Sequence, residues 1–293
     1  MSFIATLIAP KGTLTGSLVE HARAMLSGGS ARWLSQNEAA ELDLKQKPAE
    51  LWDIWEALQS EGVDLVVQPG EGRRKAMLLA DMDSTMIEQE CIDELAEMAG
   101  VGDQVRGITA RAMNGEIDFE AALLERVSLL KGLPETVIAD VLAQRITYTA
   151  GGRVLLATMR ANGAYAALVS GGFTAFTRAV AAHLEFDENR ANTLLVNDGV
   201  LTGEAGRPIL GREAKVDALH EITDRLGLKP QDVIAVGDGA NDLGMLDLAG
   251  TGVALHAKPA VAAQCDIRIN HGDLTALLFL QGYAREDFAS VEP

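Results

Sequence analysis

The chain has 293 residues, 48% of them hydrophobic and 23% charged, an ordinary composition for a folded protein of about two domains. With 42 acids against 25 Lys and Arg, its formal net charge is −17. That balance disfavours nucleic acid and anionic membranes, because neutralising phosphate takes clustered cations; a small phosphorylated substrate would need a few placed locally. Cys91 and Cys265 are too far apart for a disulfide framework or a zinc spacing. No run of about 18 apolar residues marks a membrane span, and the opening MSFIATLIAPKG lacks the basic start of a signal peptide. A cytoplasmic enzyme or binding protein is expected.

Residues 1–74 read as a small separate unit. FIATLIA (3–9) is a predicted strand, and TGSLVEHARAML (15–26) a helix opening on Thr15. Two short extended pieces follow at ARWLS and AAELDL. PAELWDIWEALQSEG (48–62) is a helix with Pro near its start and Gly62 at its stop, and VDLVVQ (63–68) is a last strand. The order βαββαβ is the ferredoxin-like arrangement, and PGEGRRK (69–75) supplies a linker.

From residue 76 onward, apolar strands alternate with helices: AMLLAD, YAALVSGG, DVIAVGDG, TGVALH and CDIRI. Such alternation predicts an α/β domain over 75–293 with a parallel, doubly wound, Rossmann-like sheet. Between its first two strands lies a long helical stretch, about 88–146, where Leu123, Leu124, Val127 and Leu130 keep helical spacing. One crossover helix needs about a dozen residues, so the surplus is expected to be a helical cap beside the ligand-binding edge of the sheet. TLLVNDGVLTG (193–203) is a predicted hairpin turning on Asp198-Gly199.

Three polar motifs fall at carboxyl ends of these strands. Asp81 and Asp83 stand two positions apart in LLADMDSTMI; such a pair is unfavourable unless a cation or a shared proton holds it. Ser170, Gly171 and Gly172 close a second strand. Asp238, Asn241 and Asp242 follow a third, in VGDGAND, and Lys215 lies in the helical stretch REAKVDALHEI. Each alone is as readily a turn, a cap or a solvated helix residue. Parallel strands end on one edge, however, so together the three converge. Asp81, Asp83 and Asp238 offer hard oxygen ligands suited to Mg²⁺. Ser170 and the amides of the Gly-rich turn can cradle an anion, and Lys215 adds a mobile positive charge for phosphate. One carboxylate is placed to act as nucleophile and the second as proton donor and acceptor.

At these residues the chain resembles the haloacid dehalogenase superfamily, whose motifs are a D-x-D opening, a Ser or Thr strand end, a Lys and a G-D-x-x-x-D. The stretches DMDSTMIEQECIDELAEMAG, ITARAMNGEIDFEAALLERVSLLKGLP, VSGGF and VGDGANDLGML are similar, within it, to phosphoserine phosphatases. The resemblance implies Mg²⁺-dependent hydrolysis of O-phosphoserine, the last step of serine biosynthesis, through an aspartyl-phosphate. It gives Asp81 the roles of nucleophile and metal ligand, and Asp83 those of acid/base and backbone-carbonyl ligand. Asp238 becomes the third ligand, and Asp242 a support for the metal or Lys215. Ser170, Gly171 and Lys215 match phosphate-binding positions and Asn241 a substrate contact. Glu90 is matched to the substrate ammonium, Arg126 to its carboxylate, and Met113 and Phe119 to an apolar cover. Residue chemistry agrees, since a zwitterion needs an anion and a bidentate cation, although Arg126 at helical spacing could equally pair with Glu125 or Glu120. The first 74 residues resemble amino-acid-binding ACT-type domains in element order and position, and such small sheets commonly pair at their edges, so a homodimer is expected.

Overall fold

In the computed structural model, which describes residues 2–113 and 116–291 without the side chain of Met113, the predicted βαββαβ order is present. It consists of β1 (Phe3–Ile8), α1 (Gly16–Met25), β2 (Ala31–Ser35), β3 (Ala39–Leu44), α2 (Leu51–Ser60) and β4 (Asp64–Pro69). Thr15 opens α1 because its hydroxyl accepts the Leu18 N–H at 3.2 Å, satisfying a donor the helix itself cannot. The four strands pair antiparallel in the order β2-β3-β1-β4, as the split βαβ arrangement requires.

The second sheet begins at β5 (Met77–Ala80), after which come four helices: α3 (Cys91–Met98), α4 (Gly102–Met113), α5 (Phe119–Ser128) and α6 (Val137–Gln144). The chain returns through α7 (Gly152–Ala161) to β6 (Tyr165–Phe173), α8 (Thr174–Leu184) and β7 (Glu188–Asn192). A hairpin, β8 (Leu194–Asn197) and β9 (Val200–Ala205), turns on Asp198 and Gly199, both at positive φ as its tight turn demands. Next come α9 (Arg212–Leu226), β10 (Val233–Gly237), α10 (Leu243–Leu248), β11 (Thr251–Leu255), α11 (Pro259–Ala262), β12 (Ile267–Ile269) and α12 (Ala276–Leu280). The six strands lie parallel in the order β12-β11-β10-β5-β6-β7. Among the described residues no helix is long and apolar enough to cross a membrane.

Alternation along the central strands explains the double winding. Leu78, Ala80, Ile234 and Val236 face one apolar cluster, which includes Leu155, Phe176 and Leu277 of α7, α8 and α12. Met77, Leu79, Val233 and Ala235 face another, with Leu219 of α9 and Met245 of α10. The edge strand β7, sequence ENRAN, was not expected. It is polar because an edge strand is solvated along one side and needs no apolar run.

Neither face of the N-terminal sheet is left open. One carries α1 and α2 over Ala5, Leu7, Leu42 and Leu65. From the other, Ile8, Leu34, Ala39 and Val66 join the cluster containing α12. Polar contacts fasten the same boundary. Asp64 on β4 is fully buried, and its carboxylate accepts the N–H groups of Asn270, His271 and Gly272 at 2.8–2.9 Å, directly after β12. Three consecutive amides form an anion nest, here filled by a side chain from the other sheet. Arg73 pairs with buried Glu41 and donates to the Leu280 and Phe279 carbonyls at the end of α12, and Arg285 pairs with Glu38. Asp64→Ala would leave three amides, one buried and two part-buried, without their acceptor. It is expected to lower the unfolding free energy by about 3 kcal/mol, read by urea denaturation; a loss below about 1 kcal/mol would mean that water or neighbouring groups replace the carboxylate.

Candidate active site

β10, β5 and β6 are parallel neighbours in register, with Ala80 opposite both Val236 and Leu168. Whatever follows them therefore emerges side by side. Asp81 comes directly after β5, its N–H held by the Val236 carbonyl at 3.0 Å, and Asp238 comes directly after β10. Ser170 belongs to β6, which continues through Gly171 and Gly172 to Phe173 instead of ending at the glycines. Gly237 has no Cβ because the Asp242 side chain occupies that space.

Oxygens of Asp81, Asp238 and Asp242 all lie within 4.8 Å of one another, and all three residues are buried. The Lys215 ammonium contacts Asp81 Oδ1 at 2.6 Å and Asp242 Oδ1 at 2.5 Å. Burial alone would lower that ammonium's pKa, but Asp81 and Asp242 outweigh it and raise the pKa. Lys215 is thus a fixed cation at 1% exposure, not the mobile one expected from its helical setting. Were all three carboxyls ionised, the one ammonium would leave two negative charges uncompensated. Burial, then repulsion from Asp242, pushes Asp81 well above the usual carboxylate range and Asp238 to about 6. A buried cluster of carboxylate oxygens with that excess fits a hard divalent cation, whose own charge would reverse these shifts.

Asp83, half-buried, points elsewhere. Its Oδ1 accepts the Cys91 N–H at 2.9 Å and its Oδ2 the Ser170 hydroxyl at 3.1 Å. Burial raises its pKa, and the bonds from Cys91 and Ser170 oppose that. Gly172 donates its N–H to Ser170 Oγ at 2.8 Å, so the expected cradle has one amide fewer to offer an anion. A Cβ at Gly172 would sit 2.7 Å from Asp83 Oδ2; only glycine admits the carboxyl here.

The helices after β5 supply the remaining expected residues. Glu90 precedes α3 and accepts the Ser84 hydroxyl at 2.8 Å. Although exposed as a residue, its carboxyl is crowded by the cleft wall and then by the Asp83 carboxylate, and is pushed up to about 7. Arg126 on α5 is half-buried. The surface partners open to it from sequence are taken: Glu125 pairs with Arg111 and Glu120 with Arg207. Burial lowers the Arg126 pKa, while Asp93, Glu90 and Asp83, in that order, raise it. Its hydrogen bond is local, from Nε to the Ala122 carbonyl at 3.2 Å. Phe119 lies across the mouth, with its Cζ 3.1 Å from where a Gly171 Cβ would be. Asn241 has its amide oxygen over Gly239. The Met113 side chain lies outside the described residues.

Asp242, expected as a support for the metal or Lys215, takes the place of the Asp83 side chain as the third clustered carboxylate. Two other residues had no readable signal. Thr85, buried, donates to Asp238 Oδ1 at 3.3 Å. Asn192 on β7, also buried, donates to the Gly171 carbonyl at 2.9 Å and accepts the Leu210 N–H at 2.7 Å, tying the Gly-rich turn to the loop before α9 and Lys215. A polar residue on an unrecognised edge strand gives no sequence cue to that work.

Comparison with known proteins agrees with this geometry. Residues 78–247 match the haloacid dehalogenase-like hydrolase family model. The phosphoserine phosphatase of Lactococcus lactis is 46% identical over 204 residues, 70% of this chain and 94% of that one. A HAD family hydrolase from Salmonella enterica superposes with a TM-score of 0.86 at 32% identity, covering 95% of this chain and 98% of its own. A phospho-aspartyl intermediate analogue of phosphoserine phosphatase superposes with a TM-score of 0.65 at 40% identity, covering 70% of this chain and 98% of its own. The chain belongs to the haloacid dehalogenase-like hydrolase family.

Proposed function

We propose that this chain is a Mg²⁺-dependent phosphatase that hydrolyses O-phosphoserine to serine and phosphate through an aspartyl-phosphate on Asp81. The observation that carries the reading is the buried cluster of Asp81, Asp238 and Asp242 clamped by Lys215, beside Ser170, at the ends of three adjacent strands. Relatives at this level of identity are phosphoserine phosphatases, one of them seen as a phospho-aspartyl analogue.

In this reading Asp81 attacks phosphorus, the bond to the serine oxygen breaks, and Asp83 in its acid form gives that oxygen a proton. Asp83, now a carboxylate, takes a proton from water, which attacks the same phosphorus and frees Asp81. A bound Mg²⁺ would neutralise phosphoryl oxygens and the carboxylates around it; Asp81, Asp238 and Asp242 are the side chains to hold it, with the Asp83 carbonyl in support. Lys215 holds Asp81 Oδ1 in place and adds positive charge beside the transferring group. Ser170 and the Gly171 amide meet the phosphate, and Asn241 bounds it. Glu90 meets the substrate ammonium and Arg126 its carboxylate, the division a zwitterion requires. Helices α3–α6 form the cap over this site, within a phosphatase domain of 75–293. The ferredoxin-like unit of 1–74 stands as an ACT-like domain, its free β2 edge available for a homodimer. A cytoplasmic setting suits such a small-molecule enzyme.

Asp81→Asn is expected to cut phosphate release from phosphoserine by at least about a thousandfold while the circular dichroism spectrum is kept, and chelation of divalent cations should silence the wild type; turnover surviving either treatment contradicts the mechanism. Arg126→Ala is expected to lower kcat/KM for phosphoserine by about 10- to 100-fold, with little change for phosphoethanolamine, which lacks the carboxylate. Equal losses on both would count against recognition of an amino acid.

A further inference from the structure

Helix α3 is not capped by its own N-cap residue. Glu90 occupies that position, yet its carboxylate is turned to the Ser84 hydroxyl at 2.8 Å and makes no cap bond. The first-turn N–H of Cys91 goes instead to Asp83 Oδ1 at 2.9 Å. Ser84 makes the exchange feasible: its φ of 55° bends the chain sharply, and the Ser84 N–H is held by the Gln89 carbonyl at 3.2 Å, so Asp83 comes back under the helix start. The other oxygen of Asp83 is held at 3.1 Å by Ser170, which belongs to the central sheet. One carboxylate thus joins the first helix of the insertion to the sheet, and Glu90 is released from capping to face the cleft.

We propose that Cys91 is a positioning residue: its backbone N–H, fixed by α3, aims the Asp83 carboxyl at the leaving-group oxygen. This rests on the reading of Asp83 as the acid/base. Asp83 has no covalent rigidity of its own, lying beyond β5 in a turn, and without the Cys91 N–H its carboxyl would be held at Oδ2 alone, by the Ser170 hydroxyl. With Oδ1 pinned to the helix and Oδ2 on the Ser170 hydroxyl, in space that a Cβ at Gly172 would close, the carboxyl is held in one orientation. Acid/base groups act through placement within hydrogen-bond reach of the proton they move. A donor that removes one rotational freedom therefore acts on the chemical step and not on binding.

Cys91 is the first residue of α3, where proline is tolerated because the missing N–H is an orphan of the helix in any case. Glu90, at φ −93° and ψ 111°, already has the extended backbone that a following proline requires. The Cys91 thiol also interacts with Asp83, so Cys91→Pro removes the backbone donor and the thiol together with the helix kept, and Cys91→Ala removes the thiol alone and isolates the backbone N–H. The readout is the single-turnover release of serine from saturating phosphoserine, against that of p-nitrophenolate from saturating p-nitrophenyl phosphate. Serine leaves as a strongly basic alkoxide and needs the proton; p-nitrophenolate does not.

Cys91→Pro is expected to slow serine release by at least about tenfold and p-nitrophenolate release by less than about threefold, with Cys91→Ala keeping the wild-type ratio of the two. Equal slowing of both substrates, or unchanged serine release, overturns the proposal. Asp83→Asn serves as reference: if it shows the selective loss and Cys91→Pro does not, the positioning role fails while the acid/base role stands; if Asp83→Asn is itself unselective, the acid/base reading has failed. Should Cys91→Pro not fold, Gly172→Ala, which crowds the Asp83 carboxyl from the sheet side, must give the same selective loss, and an unselective one overturns the proposal.

Discussion

The constraint on which the site depends is the burial of more negative charge than the protein itself neutralises. Asp81, Asp238 and Asp242 share a space under 5 Å across with one ammonium, Lys215, and water is largely excluded. Such a cluster is strongly unfavourable in a low-dielectric interior without further positive charge. The fold tolerates it because each carboxylate is set on backbone that the central strands hold rigidly. Apolar packing on both faces of β5 and β10 determines where those strands end. Electrostatic strain at the site is thus supported by ordinary hydrophobic burial beneath it.

The same arrangement divides labour between two carboxylates two residues apart. Asp81 lies with Lys215 and the buried acids, whereas Asp83 is turned away and held by Ser170 and the start of α3. Different surroundings suit like groups to different chemistry: one to lend an oxygen, the other to carry a proton. The segment inserted after β5 carries Glu90 and Arg126, which interact electrostatically with each other and with Asp83. The N-terminal sheet, buried on both faces and tied by Asp64, Arg73 and Arg285, is an integral wall of the structure and not a loosely tethered appendage.

Much of this was legible in the sequence for physical reasons. Parallel strands buried on both faces read as apolar runs, and parallel strands end on one edge, so motifs at 81, 170 and 238 had to meet. Thr15 and the Asp198-Gly199 turn carry local signals that tertiary context does not override. What stayed hidden was non-local. β7 is a polar edge, invisible to hydrophobic periodicity, and with it Asn192. Helical spacing could not say whether Arg126 faced water or the cleft; that depended on Arg111 and Arg207 claiming the nearby glutamates. Lys215 reads as a mobile charge for phosphate and not as a clamp on carboxylates, because nothing in REAKVDALHEI discloses Asp81 and Asp242 arriving from beyond other strands.

The central claim is that a divalent cation relieves the buried carboxylate cluster. Calorimetric titration of the protein with Mg²⁺ at neutral pH tests it most directly. One saturable site per chain, lost in Asp238→Asn, is the predicted result. Absence of saturable binding, or binding that Asp238→Asn leaves intact, would contradict the account.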